Sequence, residues 1–521
     1  MFAPPGTSRA LNLMLPHFPA VVGALASVAL ALAILRLPAP LDVLLVPAAA
    51  LAVLLLLVPA AAPILLVASV PVQDLGGVAL GGQVLTATKV AVAATAIVLA
   101  LGVLGRKHLL RIPMLAVAIL IYMLVQVLSL GAARALLPGF AEIYRWGVML
   151  LAFLAVLHLV RSRTAVIALS LAVSTGALAE AGLGVAQAVL GLAPESFGVA
   201  GGLFRAYGTF GKPNPFAGYL ELAGLWLLPL ALWAVRGWVS STVYWRQVRS
   251  QGFWASGPAR RELLRATAIV AWLGAGAVAS LVGIALSFSR GAWLGASAAL
   301  AVLLLTAPRR VQALILSLAV LGVTALLVGG ASVVPEALRT RAAQLTSQIR
   351  IFDVRDVFLT DETFAAIERM THWQAGLSMA QSHPWTGVGV GNFHVRFAEF
   401  SPHPRFKISQ GHAHNYYIHA AAETGLLGLA AYLLVLSLAV TAAVRTTRNG
   451  RSSLDRALGR GALAATVALA IHNVVENLHV LNLSIQLAAA WALAVVAYTD
   501  GIGTPQTSRH AVSRRERPRM S

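Results

Sequence analysis

The sequence predicts an all-α polytopic membrane protein, and three observations carry that prediction. The chain is 58% hydrophobic and 11% charged with a mean hydropathy of +0.79, far outside the range of soluble globular domains. Apolar runs of about 17 to 25 residues, long enough to cross the hydrocarbon core as helix, recur along most of its length. Basic residues fall in short blocks between those runs, so the net charge of +20 reads as membrane topology and not as nucleic-acid binding. Arg supplies 35 of the 39 basic residues beside abundant Ala, Leu and Gly, a compositional bias that makes position more informative than number.

In chain order the spans read as roughly 18–36, 41–58, 59–72, 84–104, 112–130, 141–160, 165–192, 214–236, 266–287, 291–307, 311–330, 425–444, 461–479 and 481–499. The third is short and interrupted by proline, so the count is 12–14 crossings. The first follows a tail with one basic residue, Arg9, and lacks a small-x-small cleavage site, which predicts an uncleaved span. No cysteine is present, so neither a disulfide nor a thiolate metal site holds any extramembrane segment.

Orientation follows from the basic blocks. With both termini cytoplasmic, 24 of 39 basic residues lie inside, including Arg106, Lys107, Arg111, Arg161, Arg163, Arg309, Arg310 and the groups at 236–265, 445–460 and 509–519. Eight more lie in one long outer segment, where eight acidic residues balance them. The chain divides accordingly into N-terminal transmembrane helices (1–330), a large extracytoplasmic loop (331–424), C-terminal transmembrane helices (425–499) and a basic cytoplasmic tail (500–521). Within the loop, Phe364, Ile367, Trp373, Leu377 and Ala380 recur at near-helical spacing until Pro384, which predicts a helical cap packed on the bundle. The inner loop 237–265 mixes Arg, Trp and Tyr, as an interfacial segment on anionic headgroups does.

Three polar positions then fall on the outer side. His414 and Asn415 open the stretch HAHNYYIHAAAETGLLG, in which Ala421, Ala422, Gly425 and Gly428 keep one helix face small and Glu423 is expected near the membrane surface. An imidazole there is a proton acceptor at the water–lipid boundary, reachable by a lipid-borne donor and a soluble acceptor. Arg290 occupies a tight turn, SFSRG, where it reads either as a snorkelling or turn-capping side chain or as an anion clamp supported by Ser287 and Ser289. Arg205 offers the same choice beside Lys212, Asn214, Phe204, Tyr207 and Phe210, with Pro213 and Pro215 stiffening the entry to the next span. Two fixed guanidinium groups on one face suit a diphosphate.

His412 and His419 raise the question of a metal, but spacings of two and five from His414 do not match the i, i+4 pair that a helix offers zinc. No metal is expected. The GVGVGN run at 387–392 lacks the frame of a dinucleotide fingerprint and reads as a turn. Trp385, Phe393 and Tyr416 are candidates for stacking on sugar faces, although interfacial aromatics are common in membrane proteins. Glu476, placed in or near a span, is a functional candidate because ionisable groups there are costly.

These motifs together resemble the O-antigen ligase and polymerase superfamily of bacterial envelope glycosyltransferases. The ligase signature of His, then Asn, Ser or Gln, nine residues, Gly, two residues, and Gly, Thr or Tyr is met by His414, Asn415, Gly425 and Gly428. HPWTGVGVGNF, SFSRGAW and RAYGTFGKPNPFAGYL resemble the family's flanking segments in order and spacing, over about 200–445. The resemblance implies a GT-C-type bundle in the inner membrane with a helical extracytoplasmic cap. It further implies a metal-independent, inverting transfer of a glycan from a polyprenyl diphosphate carrier to a glycan, lipid or protein acceptor. The family's histidine maps onto His414 and its two arginines onto Arg205 and Arg290. Lys212, Ser289, Tyr207, Asn415, Trp385 and Glu476 are expected to line the substrate, with Glu476 matching more loosely a place where relatives carry Asp. No cofactor and no nucleic acid are expected. The rival readings are a polymerase or protein O-oligosaccharyltransferase of the same superfamily, an inorganic-carbon transporter and a catalytically silent assembly protein. Transport predicts repeated halves and mid-bilayer polar groups, whereas no repeat is evident here.

Overall fold

The computed structural model describes residues 41–502 apart from 74, 81–82, 106–109, 200–201, 251–256, most of 308–351, 356 and 361–362. The expected span at 18–36, most of that at 311–330 and the tail beyond 502 lie outside the described residues. The chain falls into two units, 1–62 and 63–521. In the first, α1 (Leu41–Leu57) is apolar apart from Asp42. The second begins within α2 (Ala61–Ala68) and passes through a small antiparallel hairpin, β1 (Val78–Leu80) and β2 (Gln83–Leu85), in which Val78 pairs with Leu85. Everything larger is helical.

Helices α3 (Ala87–Leu104), α4 (Met114–Ser129), α5 (Leu136–Leu159) and α6 (Arg163–Val189) follow as expected. Next come α7 (Pro213–Ser250), α8 (Gly257–Leu286) and α9 (Arg290–Leu305). The cap supplies α10 (Phe364–Ser382) and α11 (Phe393–Phe400), before α12 (Tyr416–Asn449), α13 (Ser453–His472) and α14 (Leu483–Thr499). Among the described residues seven helices are long and apolar enough to cross a membrane, and α9 and α14 are shorter apolar helices. The protein is therefore an all-α polytopic membrane protein.

One helix is apolar on every side. From Ile485 to Ala497 every residue of α14 is buried, against α5, α12 and α13, as a helix without a polar face requires. Around this post α7 packs on α8, α9 and α13, so one core joins the segments before and after the cap.

The regions 237–265 and 461–479 differ from their sequence-based bounds. The segment 237–265, expected as a loop, is mostly helix, because α7 runs on past its apolar stretch to Ser250 and α8 starts at Gly257. The span expected at 461–479 is α13, shifted towards the N-terminus. A capping box starts it, in which Ser452 accepts from the Asp455 amide and Asp455 from the Ser452 amide. It ends at His472, so Glu476 lies on the connection to α14 and not in a helix.

The cap helix α10 ends before Pro384 as expected, but its inward face is Ile367, Met370, Trp373, Ala375 and Met379. Leu377 and Phe364 are exposed, since Met370 and Met379 fill the face assigned to them. Phe393 and Phe397 of α11 close a small apolar cluster with Ala413 and Ala422 at the start of α12.

Helix α12 breaks at Gly425, whose φ of 68° and ψ of −169° only glycine holds cheaply. The GVGVGN run lies against this break: Val388 and Gly389 donate to the Ala422 and Glu423 carbonyls at 2.9 and 3.0 Å, and the Leu426 amide donates to the Pro384 carbonyl at 2.7 Å. A Cβ on Gly425 meets the Trp385 backbone, and one on Gly428 meets Thr424. Glu423 sits two residues before this break. It is buried, accepting from the amides of Gly391 and Phe393 at 2.8 and 2.9 Å, and so caps α11. Gly425→Ala is predicted to lose roughly 2 kcal/mol or more from strain and backbone collision. Gly274→Ala on α8, where nothing lies within 4 Å, is predicted to be neutral in the same detergent-solubilised thermal melt.

Candidate functional site

The loop between α6 and α7 is held from both sides, and this fixes Arg205. From α6, Gln187 accepts from the Tyr207 and Gly208 amides at 3.1 and 2.7 Å, and Glu180 accepts from the Thr209 amide and hydroxyl at 3.0 and 2.7 Å. On the other side the Ala206 amide donates to the Leu286 carbonyl at the end of α8 (2.9 Å), and the Arg205 Nε–H donates to the Ser287 carbonyl (3.0 Å). That carbonyl belongs to the turn Ser287–Ser289, which Phe288 tightens by taking a φ of 49°. Arg290 is the next residue and opens α9, half-buried. The Arg205 side chain is thus held by the turn that leads into Arg290.

From Arg205 a polar chain continues. Its Nη2–H donates to Asn214 Oδ1 (3.2 Å), Asn214 Nδ2 donates to Glu476 Oε2, and His414 Nδ1 lies 3.1 Å from Glu476 Oε1. His412 Nε2 is 3.6 Å from the same oxygen. The Glu476 side chain is 6% exposed. Burial alone raises its pKa, but His414, through its charge and its hydrogen bond, holds the carboxyl well below the usual range. Burial lowers His412 to about 3 and His372, behind His414, to about 4, so both are neutral near pH 7. An ionised Glu476 accepts a hydrogen bond from His414 Nδ1–H, which orients the imidazole.

His414 is itself held in an uncommon conformation, with φ at 50°. Its amide donates to His412 Nδ1 (3.2 Å), and its carbonyl accepts from Trp373 Nε1 of the cap (3.2 Å). Asn415 then caps α12, its Oδ1 accepting from the Tyr417 and Ile418 amides at 3.0 and 3.1 Å. The connection that carries Glu476 is fastened by Asn473, whose carbonyl takes the Tyr416 amide (2.8 Å) and whose side chain takes the Leu478 amide (2.9 Å).

The remaining expected residues are placed unequally. Ser289 is buried in the turn, its amide donating to Ser287 Oγ at 3.1 Å. Lys212 is exposed just before α7. The Tyr207 hydroxyl donates to the Leu192 carbonyl (3.3 Å), away from the polar chain, and the Asn415 side chain is used as a helix cap. Trp385 has an exposed ring and meets α12 through its backbone at Gly425, not at His414.

Sequence reasoning left Asn214 without a role and weighed His412 only for metal. It passed over a fully buried pair, Glu221 on α7 with His472 on α13 at 2.7 Å, although an ionisable residue inside a span was the signal for it. Gly291 and Gly295 give α9 the room to lie against this pair, since a Cβ there meets His472 or Glu221. Among the described residues His412, His414 and Glu476 also bring three potential metal-donor atoms within 4.8 Å of one another.

Residues 275–433 fit the family model described as O-Antigen ligase. Among curated proteins none matches the chain. The matched stretch holds Arg290 and the whole His414–Gly428 motif but stops short of Glu476, and it begins after Arg205 and Asn214.

Removing the shared carboxylate leaves Asn214 and the imidazoles facing a hole. Glu476→Ala is predicted to lower stability by about 3 kcal/mol, as breaking a buried pair does, with Glu476→Gln costing clearly less. Thermal unfolding of the purified variants measures both, and an unchanged midpoint for Glu476→Ala contradicts the pairing.

Proposed function

We propose that this member of the O-antigen ligase superfamily transfers a glycan from a polyprenyl diphosphate carrier to an acceptor hydroxyl, by a single inverting displacement. The observation that carries the reading is the continuous chain from Arg205 through Asn214 and Glu476 to His414, with Arg290 following the Ser287–Ser289 turn whose first carbonyl Arg205 binds.

In this reading the acceptor oxygen attacks the anomeric carbon while the bond from that carbon to the diphosphate oxygen breaks, and the electron pair leaves with the diphosphate. His414 Nε2 takes the hydroxyl proton and later yields it to the released diphosphate or to water. Glu476 is a positioning residue that orients the imidazole through Nδ1 and steadies it once charged. Arg205 and Arg290 meet the growing negative charge on the leaving group, with Lys212 at the rim. Because the diphosphate is a good leaving group, charge stabilisation and deprotonation are sufficient tasks for these side chains, and no metal is required.

The active end faces the extracytoplasmic side of the inner membrane, with both termini cytoplasmic, on the distribution of basic residues. The ligase reading is preferred to a polymerase or a protein O-oligosaccharyltransferase because the His-Asn-x9-Gly-x2-Gly motif is met in full. All three share the donor chemistry and differ in the acceptor.

The test uses purified protein, a defined polyprenyl diphosphate sugar and candidate acceptors. His414→Asn is predicted to fold, since asparagine tolerates the left-handed conformation, and to lower transfer by about 10² to 10³. Wild-type transfer is predicted to survive EDTA. Undiminished transfer by His414→Asn, or a loss with EDTA that zinc restores, overturns the assignment.

A further inference from the structure

At the opposite end of the bundle, the beginnings of α6, α8 and α13 and the middle of α7 surround a cavity of about 490 Å³. Pro213 to Trp233 along α7 covers about 30 Å at 1.5 Å per residue, so this cavity is one hydrocarbon thickness away from Arg205 and Asn214. Arg163, Arg236 and Arg265 line it with a single acid, Glu262.

Other arginines at this end have partners. Arg111 and Arg161 pair with Asp500, and Arg456 donates to the Gly450 carbonyl at 2.8 Å. None of the three cavity arginines has a carboxylate within pairing distance among the described residues, and Glu262 is engaged instead by the Ser241 hydroxyl at 3.4 Å. Arg163 lies over the Trp233 ring, 5.1 Å from its centroid. Arg460 adds positive charge close to Arg236. The net balance is strongly cationic and uncompensated. A guanidinium fork matches phosphate oxygens in pairs, and Ser241 and Ser453 add hydroxyls to the wall. Ile167, Ile269 and Ala234 make the rest of the lining apolar.

We propose that this cavity binds a phosphate group, presented as the headgroup of an anionic membrane lipid. The mixture of unpaired guanidinium groups and an apolar wall, at the depth where helices leave the bilayer, fits a headgroup with the start of its chains better than a free anion. This site is separate from the transfer chemistry and stands or falls without it.

The experiment measures lipid retained by the full-length protein in native mass spectrometry, with phosphatidylglycerol against phosphatidylcholine. Wild type is expected to retain the anionic lipid at least about tenfold more strongly than the zwitterionic one. Arg236→Gln/Arg265→Gln is expected to abolish that preference, and Arg236→Lys/Arg265→Lys to keep part of it, at unchanged melting temperatures. If the double variant fails to fold, Arg236→Gln alone carries the comparison. Displacement of the lipid by millimolar inorganic phosphate assigns the site to the phosphate group itself, and retention against it to the lipid as a whole. Equal retention of the two lipids by wild type, or the same preference in the glutamine variant, overturns the proposal.

Discussion

One buried carboxylate organises the candidate site. Glu476 accepts from Asn214 on one oxygen and faces His414 on the other, so α7, the α13–α14 connection and the entry to α12 are tied at one point. An ionised carboxylate is tolerated in such a place only when its oxygens are satisfied, and here the partners that satisfy it are the groups whose orientation matters. Arg205 is drawn in by the other face of Asn214 and by the Ser287 carbonyl, which brings the Arg290 turn with it. Residues more than 200 positions apart in sequence thereby share one network.

Backbone constraints explain why the motif has the form it has. Asn415 is needed as a cap, Gly425 as the one residue that allows the break with Trp385 pressed against it, and Gly428 as room for Thr424. The clamp of GVGVGN on that break, with Glu423 capping α11, sets where the cap sits over α12. Three of the motif's four fixed positions are therefore structural, and His414 is the one whose side chain reaches the buried carboxylate of Glu476. It is also the one held at positive φ without being glycine, a strain kept in place by the Trp373 and His412 contacts.

The helical class and most spans were legible because hydropathy and length decide them in a bilayer. Unusual polar placement and motif spacing singled out His414, Arg205 and Arg290, and the structure puts Arg205 and His414 on one hydrogen-bonded chain. The position of Glu476 was only half legible: a hydropathy run does not reveal that a capping box at Ser452 starts α13 early, and so leaves Glu476 on a connection. Leu377 was misplaced because helical spacing gives a stripe but not which side of it the neighbouring methionines fill. The capping role of Glu423 was not legible, because its partners are backbone amides of a turn, which no side-chain pattern announces. The Glu221–His472 pair was missed inside an apolar span, where composition hides two polar residues that meet only in three dimensions.

The claim that Glu476 acts through His414 is tested most directly by a double-mutant cycle on the transfer rate, using His414→Asn, Glu476→Gln and the two combined. If Glu476 only orients and steadies the imidazole, its replacement costs nothing further once the imidazole is gone, and the double variant matches His414→Asn. Losses that multiply in the double variant contradict the account, because they make the carboxylate an independent actor.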